Sequence, residues 1–399
     1  MTTTQFTTFL LLLATTTTVH CSKLVADLWS NGPVTCQKDS SGTVACNRAP
    51  KRVGVSTTEL ELVADLGWGN RPTGVAVSTT ERIFISFPRW FANHSAPTCA
   101  EWKNDKLVPY PNQYLNSWNG STDTNDKFIN VQSVFIDHFD RLWILDTGAA
   151  FLGNVSAGKG AAKLIRMNLT TNQIEKVYPL DEIVSPHSYI NDVRISVDGT
   201  HAFLTDSNLG GLRHLDLVTG KGQVYLADHP STHSEPGFIT SVEGQPMILV
   251  TGTPAAYQSD GIAVIENHVY YHACTGRTLY RIDQALLIDP STSDQERAAG
   301  VETVSLSGVP DGMVLAGNEK LEGTLYMTAV EKDGVDYMNM KDKRVLPLIS
   351  DELLQWPDSM SVAVNGSYLY VTASQVNCAP FILNARARRN TFQLYRIAI

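Results

Sequence analysis

Six small polar pairs punctuate the chain: Thr73-Gly74, Gln132-Ser133, Asn191-Asp192, Asp260-Gly261, Asp311-Gly312 and Asp358-Ser359. Their first members lie 59, 59, 69, 51 and 47 residues apart. These side chains offer amide and hydroxyl donors, carboxyl acids, or hard oxygen ligands for a cation. Each pair heads an otherwise apolar run, and a polar group there needs a partner or a task. Either such residues cap strands and tie neighbours together, or they floor a polar-bottomed pocket in an apolar funnel. The chain has no Gly-x-Ser-x-Gly elbow, His-Glu-x-x-His, phosphate loop or Cys-x-x-Cys spacing, so the usual hydrolase, nucleotide and zinc signatures are absent.

The elements that position the pairs are hairpins. NVQSVFIDHFDRLWILDTG, from Asn130, is two short apolar strands around the turn His138 to Arg141, the pattern of strands buried on both faces. The same form recurs from Arg71, Tyr189, Asp260, Pro310 and Pro357. Six copies at this spacing predict an all-β fold, a six-bladed β-propeller over residues 56–399. ELELVADL at Glu59 and TFQLYRIAI at Thr391 then share one blade and close the ring. In a propeller the innermost strands converge, so the six pairs ring one mouth of the channel.

Composition sets the remaining bounds. The 399 residues are 43% hydrophobic and 18% charged, with a formal net charge of −9. That balance suits a globular domain and argues against nucleic acid or an anionic membrane as partner. Arg386 to Arg389 is read as a solvated loop. Residues 1–21 read as a secretory signal peptide, with an apolar core from Phe9 to Ala14 too short to span a bilayer. Residues 22–55 read as an extension in which Cys36 and Cys46 bracket a Gly/Ser-rich hairpin and form the best disulfide candidate. A further pair among Cys99, Cys274 and Cys378 is left open. Sequons at Asn93, Asn119, Asn154, Asn168 and Asn365 fit glycosylation during export.

Long connections are where function concentrates. Phe91 to Lys127 carries Trp102, Tyr110, Tyr114 and Trp118, and reads either as a loop packed by its own aromatics or as a ligand lid. His229 to Gln258 carries His229, His233 and Tyr257.

Two resemblances follow from the motifs. NDVRISVDGTHAFLTDS and PDGMVLAGNEKLEGTLYM look like the calcium-site strands of gluconolactonase-like propellers, where Asn and Asp hold a divalent metal. The glutamate that family needs is missing here: Thr73 stands at the matching position and Glu81 falls in a turn. A calcium-dependent lactonase is therefore the weaker reading.

GWGNRPTGVAV, IFISFPRW, NVQSVFIDHFDRLWILDTG, INDVRISVDGTHAFLTDSNLGGL, VYYHACTGRTLYRI and WPDSMSVAVNGSYLYV resemble the yellow/major royal jelly protein family, in the right order across all six blades. That resemblance implies a secreted six-bladed propeller with a small-ligand funnel. The family spans pigment-pathway proteins, abundant secreted proteins and fungal hetero-Diels–Alderases of tropolone–sesquiterpene biosynthesis. The leader, length and cysteine-poor body are similar to the last group. The activity this implies joins a tropolone ortho-quinone methide to a humulene-type alkene, with no metal or other cofactor. Its small-molecule partners are a polyketide tropolone and a terpene. The resemblance makes Gln132, Asn191, Thr73 and His272 donors to the quinone methide oxygen, His272 alternatively being a core histidine. Trp90, Trp118, Tyr271 and Trp356 become the wall, with Asp311 and Asp358 at the channel mouth. A carrier that leaves its ligand unchanged is the other expectation.

Overall fold

Every polar pair heads the innermost strand of a four-stranded antiparallel sheet. The computed structural model describes residues 59–399 except 70, 92–93, 121–123, 125, 150–155, 317–322, 364 and 389. Before them it describes the backbone of Val34–Lys38 and Val44–Arg48. Those two strands pair as a hairpin with Cys36 opposite Cys46. Their thiols lie outside the described residues, as do the leader, Asn93 and Asn154.

Six sheets of four strands follow. Blade I starts with Gly74–Val77, blade II with Val131–Ile136 and blade III with Ile190–Ile195. Blades IV, V and VI start with Ser259–Ile265, Met313–Ala316 and Pro357–Val362. Each innermost strand touches the next, and that of blade VI returns to blade I. Blade VI closes the ring as expected: Phe392–Ala398 pairs on one side with Tyr368–Ala373 and on the other with Leu60–Gly67. Both edges of that strand are thereby satisfied.

Apolar strand faces supply the core. Trp143, Leu145, Leu164 and Tyr178 of blade II pack on Ile190, Val193, Leu204 and Leu215 of blade III, and like layers fill the other blade interfaces. The polar stretch after Asp283 forms two short helices, Gln284–Ile288 and Asp294–Ala299, the second closed by a Ser293/Glu296 capping box. No described helix is long and apolar enough to cross a membrane. Arg388 is more than a solvated charge: its guanidinium stacks on Phe392 and Trp68 and donates to Trp68 O at 2.6 Å.

Glycine follows the polar residue in three of the pairs because the neighbouring blade is too close for a side chain. A Cβ on Gly312 would stand 2.5 Å from Asp358 O and 3.3 Å from Ser359 Cα. Both obstacles are backbone, so neither can rotate away. Gly312→Val is expected to wedge blades V and VI apart and cost about 3 kcal/mol, read as a lower urea midpoint.

Candidate functional site

Four of the six innermost strands open with an irregular register: between Val131 and Ser133, Ile190 and Val193, Ser259 and Ile262, and Pro357 and Met360. The irregular positions include Gln132, Asn191, Asp260 and Asp358. A bulge frees a residue from the ladder and re-aims its side chain, and these four point into one cavity. In blades V and VI the aim is fixed by backbone strain. Val309 and Trp356, each just before a Pro-Asp, hold left-handed φ angles of 58° and 49°. Such conformations cost of order 1–3 kcal/mol and persist where surrounding structure enforces them. Here the enforcers are backbone bonds from Val330 N to Val309 O and from Ser374 N to Trp356 O.

The cavity holds about 320 Å³ and includes Gln132, Asn191, Asp260, Asp311 and Asp358 on its floor. Its walls include Trp90, Tyr189, Tyr257, Trp356, Phe381 and Cys274. One hydrogen-bonded chain runs around the floor. Trp90 Nε1 donates to Tyr189 OH (2.7 Å), which donates to Gln132 Oε1 (2.7 Å). Gln132 Nε2 donates to Asn191 Oδ1 (3.1 Å), and Asn191 Nδ2 to Asp260 Oδ2 (2.7 Å). Asp260 bonds Asp311, whose Oδ2 also accepts the indole N–H of Trp356 at 2.6 Å. Below this floor Arg194 crosses the channel to donate to Met313 O (2.7 Å) and pairs with Asp192 at 3.3 Å.

Burial decides the charge state. It raises Asp311 to about 7, the Trp356 bond opposing the rise. Burial, and then the charge of Asp311, lift Asp260 and Asp358 well above the usual carboxylate range. Burial also raises Cys274 and Tyr257, leaving both protonated. At neutral pH the Asp260/Asp311 pair therefore shares at least one proton. The floor is a set of carboxyls that hold their protons far above the usual range, with Asp311 near its midpoint at neutral pH, under aromatic walls.

Of the expected residues, Gln132, Asn191, Asp311, Asp358, Trp90 and Trp356 meet in this cavity. Four others do not line it. Thr73 is buried between blades, its hydroxyl donating to Gln132 O at 2.7 Å, so it ties blade I to blade II. His272 is fully buried beside Gly261, bonded through Nδ1 to Ala273 O with Nε2 unpartnered, and burial lowers it to about 4. It is a neutral core imidazole. Tyr271 packs with Phe203, Ile262 and Leu287 inside the blades and shares a hydrogen bond with Ser231. Trp118 stays half-buried in the 91–127 connection, and Trp102 belongs to a strand of blade I. No disulfide joins any two of Cys99, Cys274 and Cys378. Sequon Asn168 uses its amide to bond Glu175 and its oxygen to close a turn. Asn119 and Asn365 are exposed.

Asp260, Cys274 and Asp311 bring three donor atoms within 4.8 Å of one another. Asn191 already donates to Asp260 and Trp356 to Asp311, so each carboxyl has one oxygen committed to a neighbour. Glu81 sits exposed in the turn after the first strand of blade I, at the far end from the floor.

The Trp356 bond gives a test of this assignment. Trp356→Phe removes a donor that favours the ionised form of Asp311. The titration that starts near 7 is expected to move up by about one unit, the equivalent of about 1.4 kcal/mol. A pH–rate or pH–binding profile reads it.

The family profile described as Major royal jelly protein matches residues 129–394. Protein yellow of Drosophila guanche is 25% identical over 140 residues, covering 31% of this chain and 23% of that protein. Protein yellow of Drosophila melanogaster is 24% identical over 140 residues, 31% of this chain and 25% of that protein. The chain thus aligns with about a quarter of the length of these relatives. Among solved structures, a luciferin-regenerating enzyme superposes with TM-score 0.53 at 12% identity, over 85% of this chain and 95% of its own. That likeness concerns the fold alone.

Proposed function

The chain belongs to the major royal jelly protein family, and from that premise we propose that its funnel is the site of a cofactor-independent cyclisation. The reaction is a hetero-Diels–Alder addition of a tropolone ortho-quinone methide to a humulene-type sesquiterpene. The observation that carries the reading is the proton-sharing Asp260/Asp311 pair at the foot of an aromatic-walled cavity. As the diene reacts, negative charge grows on the quinone methide oxygen. A neutral carboxyl in a dry site donates to that oxygen, and one such donor is worth about 2.7–4 kcal/mol. The amides of Gln132 and Asn191 each give one hydrogen to a neighbour, and the acids take the stronger donor role. Trp90, Trp356, Tyr257 and Phe381 pack the terpene and fix which face it presents. Holding both reactants together contributes up to about 7–11 kcal/mol. Export through the secretory pathway, with sugars on Asn119 and Asn365, belongs to the same reading.

The second reading is a binding protein without turnover. It draws on the aromatic walls around the buried floor, which suit retention of a ligand. One experiment separates the two. Purified, chelator-treated protein is incubated with a hydroxymethyl tropolone precursor and humulene, and the products are resolved by chiral chromatography. A single enantiomer of the dihydropyran adduct, formed faster than without protein, is the expected result. A racemic trace at the background rate would leave the binding protein as the function.

A further inference from the structure

Two excursions from different sides of the ring meet above the funnel. The first joins blades III and IV, and the second lies inside blade VI, between Tyr368–Ala373 and Phe392–Ala398. Val250 N donates to Phe381 O at 2.9 Å and Leu383 N to Ile248 O at 2.7 Å, which makes Leu249 and Ile382 a bridged pair. Leu249, Val376, Phe381 and Ile382 share an apolar cluster with Trp90 and Trp356. Phe381 also lies edge-on to Trp90, with ring centroids 6.0 Å apart. The cap is therefore a packed layer that rests on the walls, held by backbone bonds across its seam.

Exposure around the wall shows where solvent reaches the cavity. The floor carboxyls Asp260 and Asp358 are 5% and 6% exposed. The exposed lining residues are His187, Asn208, Val250 and Thr251. They come from the turn leading into blade III, the turn after that blade's second strand, and the tip of the cap. Asn208 Nδ2 donates to His187 O at 2.7 Å, joining the two turns into one rim.

We infer that the funnel is entered sideways, through a portal between the cap tip and the two turns of blade III, while the cap stays closed. With the cap fixed in height, the portal is the size filter. It admits largely apolar molecules that pass edge-on between the cap tip and the two turns, and it excludes those that need the roof lifted. The rim matches that passage, with His187, Asn208 and Thr251 polar toward water and Val250 apolar at the turn inward. The inference rests on the funnel being a ligand site and does not depend on the reaction proposed for it.

The cavity carries its own reporter. Cys274 is a free thiol in its wall, 3% exposed. Phenylmercuric acetate, an apolar ring on a thiol-seeking mercury, must cross the entry to reach it. Modification is followed by peptide mapping, which separates Cys274 from Cys99 and Cys378. The cap is locked by Leu249→Cys with Ile382→Cys, because bridged partners without mutual backbone bonds face each other closely enough to be oxidised. The portal is narrowed separately by Thr251→Trp and by Asn208→Trp.

With the cap oxidised, Cys274 is expected to react within about threefold of the parent rate, while each portal tryptophan slows it at least about tenfold, since access sets the rate for an unactivated thiol. Slowing by the cap lock, with little effect of the tryptophans, would overturn the inference and make the cap the gate. Failure of Cys274 to react in the parent would overturn it as well, since no open portal would exist. Circular dichroism of each variant shows that a change in rate is not a change in fold. A negative cyclisation assay touches none of these outcomes, and neither does a positive one.

Discussion

Asp311→Asn is expected to lower the rate of the cyclisation about 100- to 1,000-fold while changing the affinity for either reactant less than about tenfold, the pattern of a group that acts in the transition state. The substitution keeps the shape of the side chain and its ability to accept from the Trp356 indole, so the cavity is preserved. What it removes is an acidic proton shared with Asp260. An amide donates a weaker hydrogen bond to a growing oxyanion, and it cannot pass a proton to its neighbour. Asp358→Asn should cost less, because Asp358 lies outside the hydrogen-bonded chain that joins Trp90 to Trp356. Single-turnover kinetics with both reactants bound separates the chemical step from binding. Equal loss in the Asp311 and Asp358 variants would show that the acids act only by shaping the cavity.

The pH dependence of the parent follows from the same group. Below about 7 Asp311 holds its proton, and the rate should be flat. Above it the rate should fall about tenfold per unit, the slope of a single ionisation. Asp311→Asn should be slow and flat through this range. Stability runs in the same direction. The folded value of about 7 is raised from 3.8 by burial, so the folded state binds the proton more tightly than the unfolded chain. The stabilisation is fully present below 3.8, declines as pH rises from there through about 7, and above that the buried charge opposes folding. Urea midpoints at pH 5 and 8 should therefore differ more in the parent than in Asp311→Asn. The histidines His94, His214 and His272, lowered to about 4 by desolvation, act in the opposite sense as pH falls from 6.5 to about 4. They are common to both proteins, so comparing the two isolates Asp311.

The sequence made the ring and its floor legible because both obey a period. Gln132, Asn191, Asp260, Asp311 and Asp358 occupy one place in a repeated hairpin, so the repeat that revealed the blades also aligned the floor. The walls obey no period. Tyr257, Phe381, Leu249 and Val250 sit in irregular connections whose paths depend on a partner far away in sequence, and the bridge between Leu249 and Ile382 spans two connections that share no motif. Aromatic content was a poor guide: Trp118 does not line the cavity, while a connection with fewer aromatics supplies the cap. Tyr271 shows the ambiguity of a strand, where neighbouring residues face opposite ways. The strain at Val309 and Trp356 had only a faint trace, the Pro-Asp that follows each. The charge state of the floor had none, because it arises when carboxyls from different blades are buried together.

Asp206→Ala is expected to be among the most destabilising single changes in the chain, at about 3–5 kcal/mol, the usual cost of stripping one partner from a buried ion pair. Asp206 ends the second strand of blade III and is fully buried. Its Oδ1 accepts the backbone N–H groups of Tyr189, Asn208 and Leu209 at 2.9–3.0 Å, and its Oδ2 pairs with Arg213 at 2.7 Å. Truncation leaves three amide donors and a buried guanidinium without their carboxylate. Asp206→Asn retains the acceptor for the amides but turns a neutral group toward Arg213, so it should cost less. If the charge pair dominates, adding Arg213→Met to Asp206→Ala should recover part of the loss, and the double variant should be more stable than the two single losses added together. Strict additivity in urea midpoints would assign the cost to the orphaned amides instead. The same contact reaches the site, because the Tyr189 amide that Asp206 holds belongs to the residue whose hydroxyl joins Trp90 to Gln132. Asp206→Asn should therefore leave the floor chain intact and ligand affinity close to the parent's. Surviving folded Asp206→Ala should bind ligand more weakly, through a displaced Tyr189. Blade II has its own version of the device, Asp146 accepting from Ile129, Asn130 and Gly148 N–H groups with Lys163 at 3.5 Å. That blade offers an internal comparison: Asp146→Ala should destabilise the ring comparably and leave the Tyr189 link untouched.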